Sequence, residues 1–330
     1  MTLSAKASAI VGDITFTAEE ELAAYRAMLL IRRFEEKAGQ LYALGAVHGS
    51  CPLSIGQEAS IVGMTMATTA GDKVIAGSRN HGHMLALGIA PEPIMAELLG
   101  RKSGLSGGRG GSVHMFSRGH HFYGGHSIPG TAAQLGAGLA FAAKYAGSGE
   151  VCLCFFSDGA ANKGRVHETY KICGEWKLPI VFIIDNNAAA PGPDMALAAL
   201  PSPLAERGIP FAIPGEQVDG IDVRKARAAG RRAIERARAG EGPTILEMLT
   251  YRYRGHGAPA PARPAAAEKR RDETDPLAKS RSRILEESVA GEAKLKTIEK
   301  EVREIVNAAA GAAKASPAPE PHDLHTSVVP

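Results

Sequence analysis

Between Val151 and Asn187 lie two apolar runs of strand length, VCLCFF and LPIVFII, joined by residues 164 to 175, whose spacing reads as a helix. Both runs are apolar at every position rather than at alternate ones, the pattern of a strand covered on both faces. Parallel neighbours cannot be joined by a tight turn and need a crossover, usually a helix. Strand, helix and strand in this order make a βαβ unit. TILEML, residues 244 to 249, repeats the strand pattern after a basic helical stretch near residues 223 to 239. The predicted fold class is α/β with a mainly parallel sheet. A chain of 330 residues, 45% of them hydrophobic, has ample material for its core.

In an open parallel sheet the ligand crevice lies beyond the carboxyl ends of the strands. Asp158 closely follows the first run and Asn187 the second. If the two strands are neighbours, a carboxylate and a carboxamide converge. With a backbone carbonyl they form the hard oxygen set that Mg²⁺ prefers, its other positions going to phosphate oxygens and water. Gly159 lets the backbone approach such phosphates, and the next helix turns its N-terminus towards them. On spacing alone, Asp158 and Asn187 also read as cap and turn residues, which both types commonly are.

The rest of the chain sets limits. Lys+Arg number 38 against 35 Asp+Glu, and the basic residues are scattered or grouped in helical stretches such as RKARAAGRRAIERARAG, so nucleic-acid binding is not indicated. Cys152 and Cys154 stand too close for a mutual bridge of normal geometry, and all four cysteines read as reduced thiols of a cytoplasmic protein. The first fifteen residues lack both an apolar signal core and an Arg-rich amphipathic pattern. No segment approaches the ~20 apolar residues of a membrane span. Thr17 with Glu20 three residues on forms a capping box that opens a long helix, which Gly45 is placed to end. Residues 71 to 130, rich in Gly, His and Ser, have the composition of a linker but lie between well-patterned segments, where a long loop is more often functional than idle. The expected organisation is an arm (1–16), one domain (17–315) and a tail (316–330).

SDGAANKGRVHETYKICGEWKLPIVFIIDNN closely resembles the thiamine diphosphate motif of the 2-oxo acid dehydrogenase alpha-subunit family, which includes the alpha subunit of the first component of the pyruvate dehydrogenase complex. RNHGHMLALG, ELLGRKSGLSGGRGGSVHMF, FYGGHSI, LGAGLAFAAKYAG, GEQVDGIDV, ILEMLTYRYRGH and ASPAPEP follow that family in order. The resemblance implies a doubly wound thiamine diphosphate-binding fold with helices on both faces of the sheet. It also implies a beta subunit that completes the site in an α₂β₂ heterotetramer. The implied reaction is decarboxylation of a 2-oxo acid, pyruvate first, with the acyl group passing to the lipoyl domain of the second component. Acetoin or a branched-chain 2-oxo acid are alternative substrates. The reading from a different class is a non-catalytic or weakly active paralogue serving as an assembly or regulatory subunit.

Carried over by position, Asp158, Asn187 and the Ala189 carbonyl hold Mg²⁺, while Gly159 and Ala160 meet the diphosphate through their backbone. Arg79 is the phosphate-contacting arginine, a role suited to a planar multi-donor cation. His256 falls on the active-site loop histidine near the diphosphate, and His81 on a second active-site histidine. His48, His83, His114, His120 and His121 read as packing or surface residues. The chain also departs from the family. Ser78 replaces a phosphate-binding tyrosine, and Ser157 replaces the glycine before Asp158. SIPG puts Ser127 and Pro129 at the two pyrimidine-contacting positions, and Ala189 replaces a tyrosine. After His256 the run Gly257, Ala258, Pro259, Ala260 offers no hydroxyl where mitochondrial members are phosphorylated, so an enzyme of bacterial type with a cofactor-ordered loop over 257 to 268 is expected.

Overall fold

The capping box at Thr17 forms as its residues dictate. Thr17 Oγ1 accepts the Glu20 N–H at 3.2 Å, and the Glu20 carboxylate accepts the Thr17 N–H at 2.9 Å. Helix α1 (Ala18–Ala43) follows, and Gly45 beyond it has the left-handed φ of 73°. The structure, a computed structural model, describes residues 15–187, 203–251, 253 and 274–324. After α1 come α2 (Glu58–Met66), β1 (Lys73–Ala76), α3 (His81–Ala86), α4 (Pro91–Leu98), β2 (Phe122–Gly125) and α5 (Thr131–Ala146). The predicted βαβ unit is β3 (Cys152–Ser157), a short α6 (Asp158–Ala161), α7 (Gly164–Glu175) and β4 (Ile180–Asn186). Then follow β5 (Gly215–Asp219), α8 (Val223–Arg238), β6 (Thr244–Leu249), α9 (Pro276–Glu286) and α10 (Glu292–Ala315).

The six strands form one sheet in the order β2-β1-β3-β4-β6-β5, and every ladder in it is parallel. The unbroken apolar runs are explained by burial on both faces. Along β3 and β4, Leu153, Phe155, Val181 and Ile183 enter one core with Met28 and Phe34 of α1 and Ile61 of α2. Their alternates Cys152, Cys154, Phe156, Ile180, Phe182 and Ile184 enter the other with α5 and α7, where Tyr170 stacks edge-on against Phe182 at 4.9 Å. Each such fully buried large side chain stabilises the fold by about 1.5–3 kcal/mol. Outside the first face, α9 and α10 pack on α1 through Tyr25, Ile284, Leu295 and Val302. All four cysteines are free and buried. No described helix is long and apolar enough to cross a membrane.

Strands β1 and β2 were not anticipated from sequence. Each has four residues, and the second is FYGG, half of it glycine, so neither carries a readable period. Their presence makes residues 71 to 130 part of the sheet rather than a loop hung from it, and it creates the site. From β1 the chain winds outwards to β2, then returns across β1 to β3. In such a sheet the crevice for a ligand opens where the winding reverses, here between the carboxyl ends of β1 and β3.

Candidate active site

A cleft occupies that switch point. Gly77, Ser78 and Arg79 line it from the end of β1, Phe156 and Ser157 from β3, and Asp185 from β4. Ser127, Ile128 and Pro129 form its exposed rim, carried on the turn into α5. That turn closes through Gly130, whose φ of 86° is strained for a side chain and where a Cβ would press on the Arg165 and Val166 side chains at 3.1 Å.

The opening of α6 is built by Ser157 and Asp158. Ser157, in the family's glycine position, is the N-cap, its Oγ accepting the Ala160 N–H at 3.4 Å. Asp158 is therefore not the cap. It is the first helical residue, its Oδ1 accepting the Gly159 N–H at 2.8 Å. Ala160 lines the cleft. Ser157 pairs in register with Asp185, so Asp158 leaves the sheet beside the end of β4 and the buried Asn187 just beyond it. Asn187 leaves its Nδ2 without a hydrogen-bond partner. Ala189 and His256 lie outside the described residues, as does the 257–268 segment. At its flanks, the Tyr253 hydroxyl meets Thr274 Oγ1 at 2.9 Å. Among the described residues, no three His, Cys, Asp or Glu side chains cluster to hold a metal. The expected set of carboxylate, carboxamide and carbonyl contains just one such residue and is of a different kind.

Asp185 was not singled out from sequence. It accepts the Ser60 hydroxyl at 3.0 Å and is buried at the cleft floor. Burial pushes its carboxyl up to about 7; Ser60 and the Arg79 charge pull it down, and the Asp158 charge adds to the rise. Two carboxylates thus share this strand edge with one arginine. Because the folded value exceeds the unfolded one, the folded state holds a proton that the unfolded chain releases. The associated stability is complete below about pH 4 and is lost as pH rises to about 7. Asp185→Asn keeps the acceptor for Ser60 and removes this loss. Its thermal midpoint is expected to exceed the wild type's by roughly 2–4 °C at pH 8.5, narrowing by pH 5.5. A difference independent of pH contradicts the assignment.

Of the two histidines in RNHGH, the structure separates the expected from the unexpected. His81 is fully buried with both ring nitrogens engaged, Nδ1 by Glu35 at 3.0 Å and Nε2 by Ser112 at 2.9 Å, and it does not line the cleft. His83, read from sequence as a packing residue, does line it. His48, His114 and His120 are exposed, as a surface role requires.

Ser112 is positioned by a loop wrapped around one side chain. Buried Glu97 accepts the N–H groups of Ser106 (2.7 Å), Gly108 (2.9 Å), Gly110 (2.7 Å) and Gly111 (3.2 Å). A carboxylate with four oxygen lone-pair sites suits this; a carboxamide turns an NH₂ against donors. Glu97→Gln is expected to destabilise the fold by about 1–3 kcal/mol and to open residues 104 to 111 to protease. An unchanged cleavage pattern contradicts the role.

Residues 26–322 match the family model described as "Dehydrogenase E1 component". The chain belongs to the dehydrogenase E1 component family. It is 50% identical over 317 residues to the pyruvate dehydrogenase E1 component subunit alpha of Rhizobium meliloti, covering 95% of this chain and 91% of that one. To the Zymomonas mobilis protein of the same name it is 48% identical over 315 residues, covering 94% and 89%. With the testis-specific, mitochondrial alpha subunit of Rattus norvegicus the identity is 39% over 312 residues, covering 93% and 79%. These relatives place the chain among the alpha subunits of the 2-oxo acid dehydrogenases within the dehydrogenase E1 component family.

Proposed function

We propose that this chain is the alpha subunit of a pyruvate dehydrogenase of bacterial type, acting in the cytoplasm, and that its switch-point cleft holds the diphosphate of thiamine diphosphate through Mg²⁺. The observation that carries this is a cleft lined by unpaired buried nitrogens at the end of a sheet whose neighbouring strands lead into hard oxygen donors. Asp158, Asn187 and Arg79 follow three adjacent strand ends, and Gln57 and His83 line the cleft with amide and ring nitrogens that have no hydrogen-bond partner. Buried donors are nearly always satisfied, so a ligand rich in acceptor oxygens fits them.

In this reading Asp158, Asn187 and the Ala189 carbonyl hold the metal. Arg79 and the backbone at Gly159 and Ala160 take the diphosphate, and Ser127 and Pro129 meet the pyrimidine at the rim. When bound, the cofactor supplies the electron sink for decarboxylating a 2-oxo acid. The chain's own residues orient it and hold the charge of its diphosphate. A beta subunit completes the site, and a lipoyl domain receives the acyl group near His256.

Ser78 and Pro129, both at the cleft, favour a second reading, a weakly active or non-catalytic assembly subunit. Calorimetric titration of the chain with its beta partner separates the two. Saturable, Mg²⁺-dependent binding of thiamine diphosphate is expected; its absence supports the second reading.

A further inference from the structure

We propose that His83 and Gln57 form a neutral donor pair that hydrogen-bonds an anionic oxygen of the bound diphosphate, an inference that rests on the function proposed above. Each is 2% exposed, and both line the cleft with Arg79, Ser157 and Ala160. His83 sits on α3 with its ring edge-on to Phe155 of β3, centroids 4.3 Å apart at 69°. Packing holds the ring in place, and its contact with the Arg79 backbone falls short of hydrogen-bond geometry, so neither nitrogen is satisfied. Gln57, just before α2, leaves its Nε2 unpaired. A carboxamide nitrogen only donates, and a neutral imidazole has one N–H to give. Burial pushes His83 down to about 3 against a weaker opposing pull from the Arg79 backbone, so the ring is neutral at physiological pH.

A neutral donor suits this floor. It needs no counter-ion when the cleft is empty, unlike a second arginine, and it adds hydrogen bonds to the charge that Arg79 supplies. The one carboxylate lining the cleft, Asp185, already takes the Ser60 hydroxyl. His81 has no such capacity to spare, because Glu35 and Ser112 occupy both its nitrogens. Of the two, His83 is therefore the histidine able to reach the ligand.

The test uses the chain complexed with its beta subunit and reads cofactor affinity and histidine spectra. His83→Phe keeps the ring packed on Phe155 and removes both nitrogens, while His83→Gln restores a donor. Losing a hydrogen bond to a charged group weakens binding by about ten- to hundredfold, so that loss of thiamine diphosphate affinity in Mg²⁺ is expected for His83→Phe, with partial recovery in His83→Gln. In the unaltered complex labelled with ¹⁵N-histidine, the His83 ring signals are expected to move on adding cofactor, a readout that does not depend on either variant folding. Wild-type affinity in His83→Phe, or static His83 signals while the cofactor binds, overturns the proposal. Unchanged cofactor affinity with a raised KM for the 2-oxo acid also overturns it and assigns the pair to the substrate carboxylate. If the unaltered complex binds no thiamine diphosphate, the proposed function falls, and this inference with it.

Discussion

Asp158→Ala will abolish Mg²⁺-dependent binding of thiamine diphosphate in the αβ complex, weakening it by about a hundredfold or more, and will leave the fold intact. The two halves of this expectation have different origins. Asp158 is the sole anion in the proposed ligand set, and neither Asn187 nor a carbonyl replaces its charge. Its contribution to stability is small, since it is partly exposed and its hydrogen bond in the structure is to the adjacent Gly159 N–H. Removing it also relieves Asp185, whose carboxyl is pushed up in part by the Asp158 charge. The apoprotein variant should thus melt at or slightly above the wild-type temperature while losing the metal. Asp158→Asn, which keeps an oxygen donor without the charge, should fall between. Wild-type cofactor affinity in Asp158→Ala refutes the ligand assignment.

Arg32→Ala is expected to have the largest effect on stability, about 3–5 kcal/mol. Arg32 on α1 is 4% exposed. Its Nε donates to Glu58 at 2.6 Å, and its two terminal nitrogens donate to Asp275 at 3.0 and 3.1 Å. Burial opposes its charge, but Glu58 and Asp275 outweigh that and push its pKa above the ordinary arginine range. Glu58 also takes the Gly56 N–H at 2.9 Å, and Asp275 caps α9 through the Leu277 N–H at 2.9 Å. One guanidinium therefore ties α1 to the starts of α2 and α9. Without it two buried carboxylates lose the cation they share. Burial already pushes Glu58 above its ordinary value, so the deficit in Arg32→Ala should grow as pH rises, because the folded state then loses a proton it favours holding. Adding Glu58→Gln should recover part of it. Urea denaturation reads both, and a loss below about 1 kcal/mol, the scale of an exposed ion pair, contradicts a buried network.

How much of this was legible in the sequence depended on whether the determining force is local. Helix α7 matches residues 164 to 175 as read, because its period and flanks lie within the segment. The β3 and β4 runs were visible because burial on both faces leaves no polar position to blur them. Strands β1 and β2, four residues each, owe their existence to neighbours in the sheet, and no local pattern marks them. Asp158 and Asn187 stood out because their position after strand ends is itself a signal. His83 and Asp185 did not. One sits on a helix of six residues and the other near the end of an apolar strand, and what sets them apart is burial against Phe155 and Ser60, which only the fold supplies. The spacing of RNHGH holds a hint in hindsight: two histidines two residues apart on a helix point in different directions, so at most one of them faces a given cleft.

The most direct measurement combines this chain with its beta subunit, thiamine diphosphate, Mg²⁺ and a lipoyl domain, and follows release of labelled CO₂ from pyruvate and from a branched-chain 2-oxo acid, with acetoin, which has no carboxylate to lose, read by acetylation of the lipoyl group. The account predicts CO₂ release that requires both cofactor and metal, is fastest with pyruvate, is accompanied by acetylation of the lipoyl group, and disappears in Asp158→Ala. An assembled αβ complex that releases no CO₂ from pyruvate or from the branched-chain 2-oxo acid at saturating cofactor would contradict it.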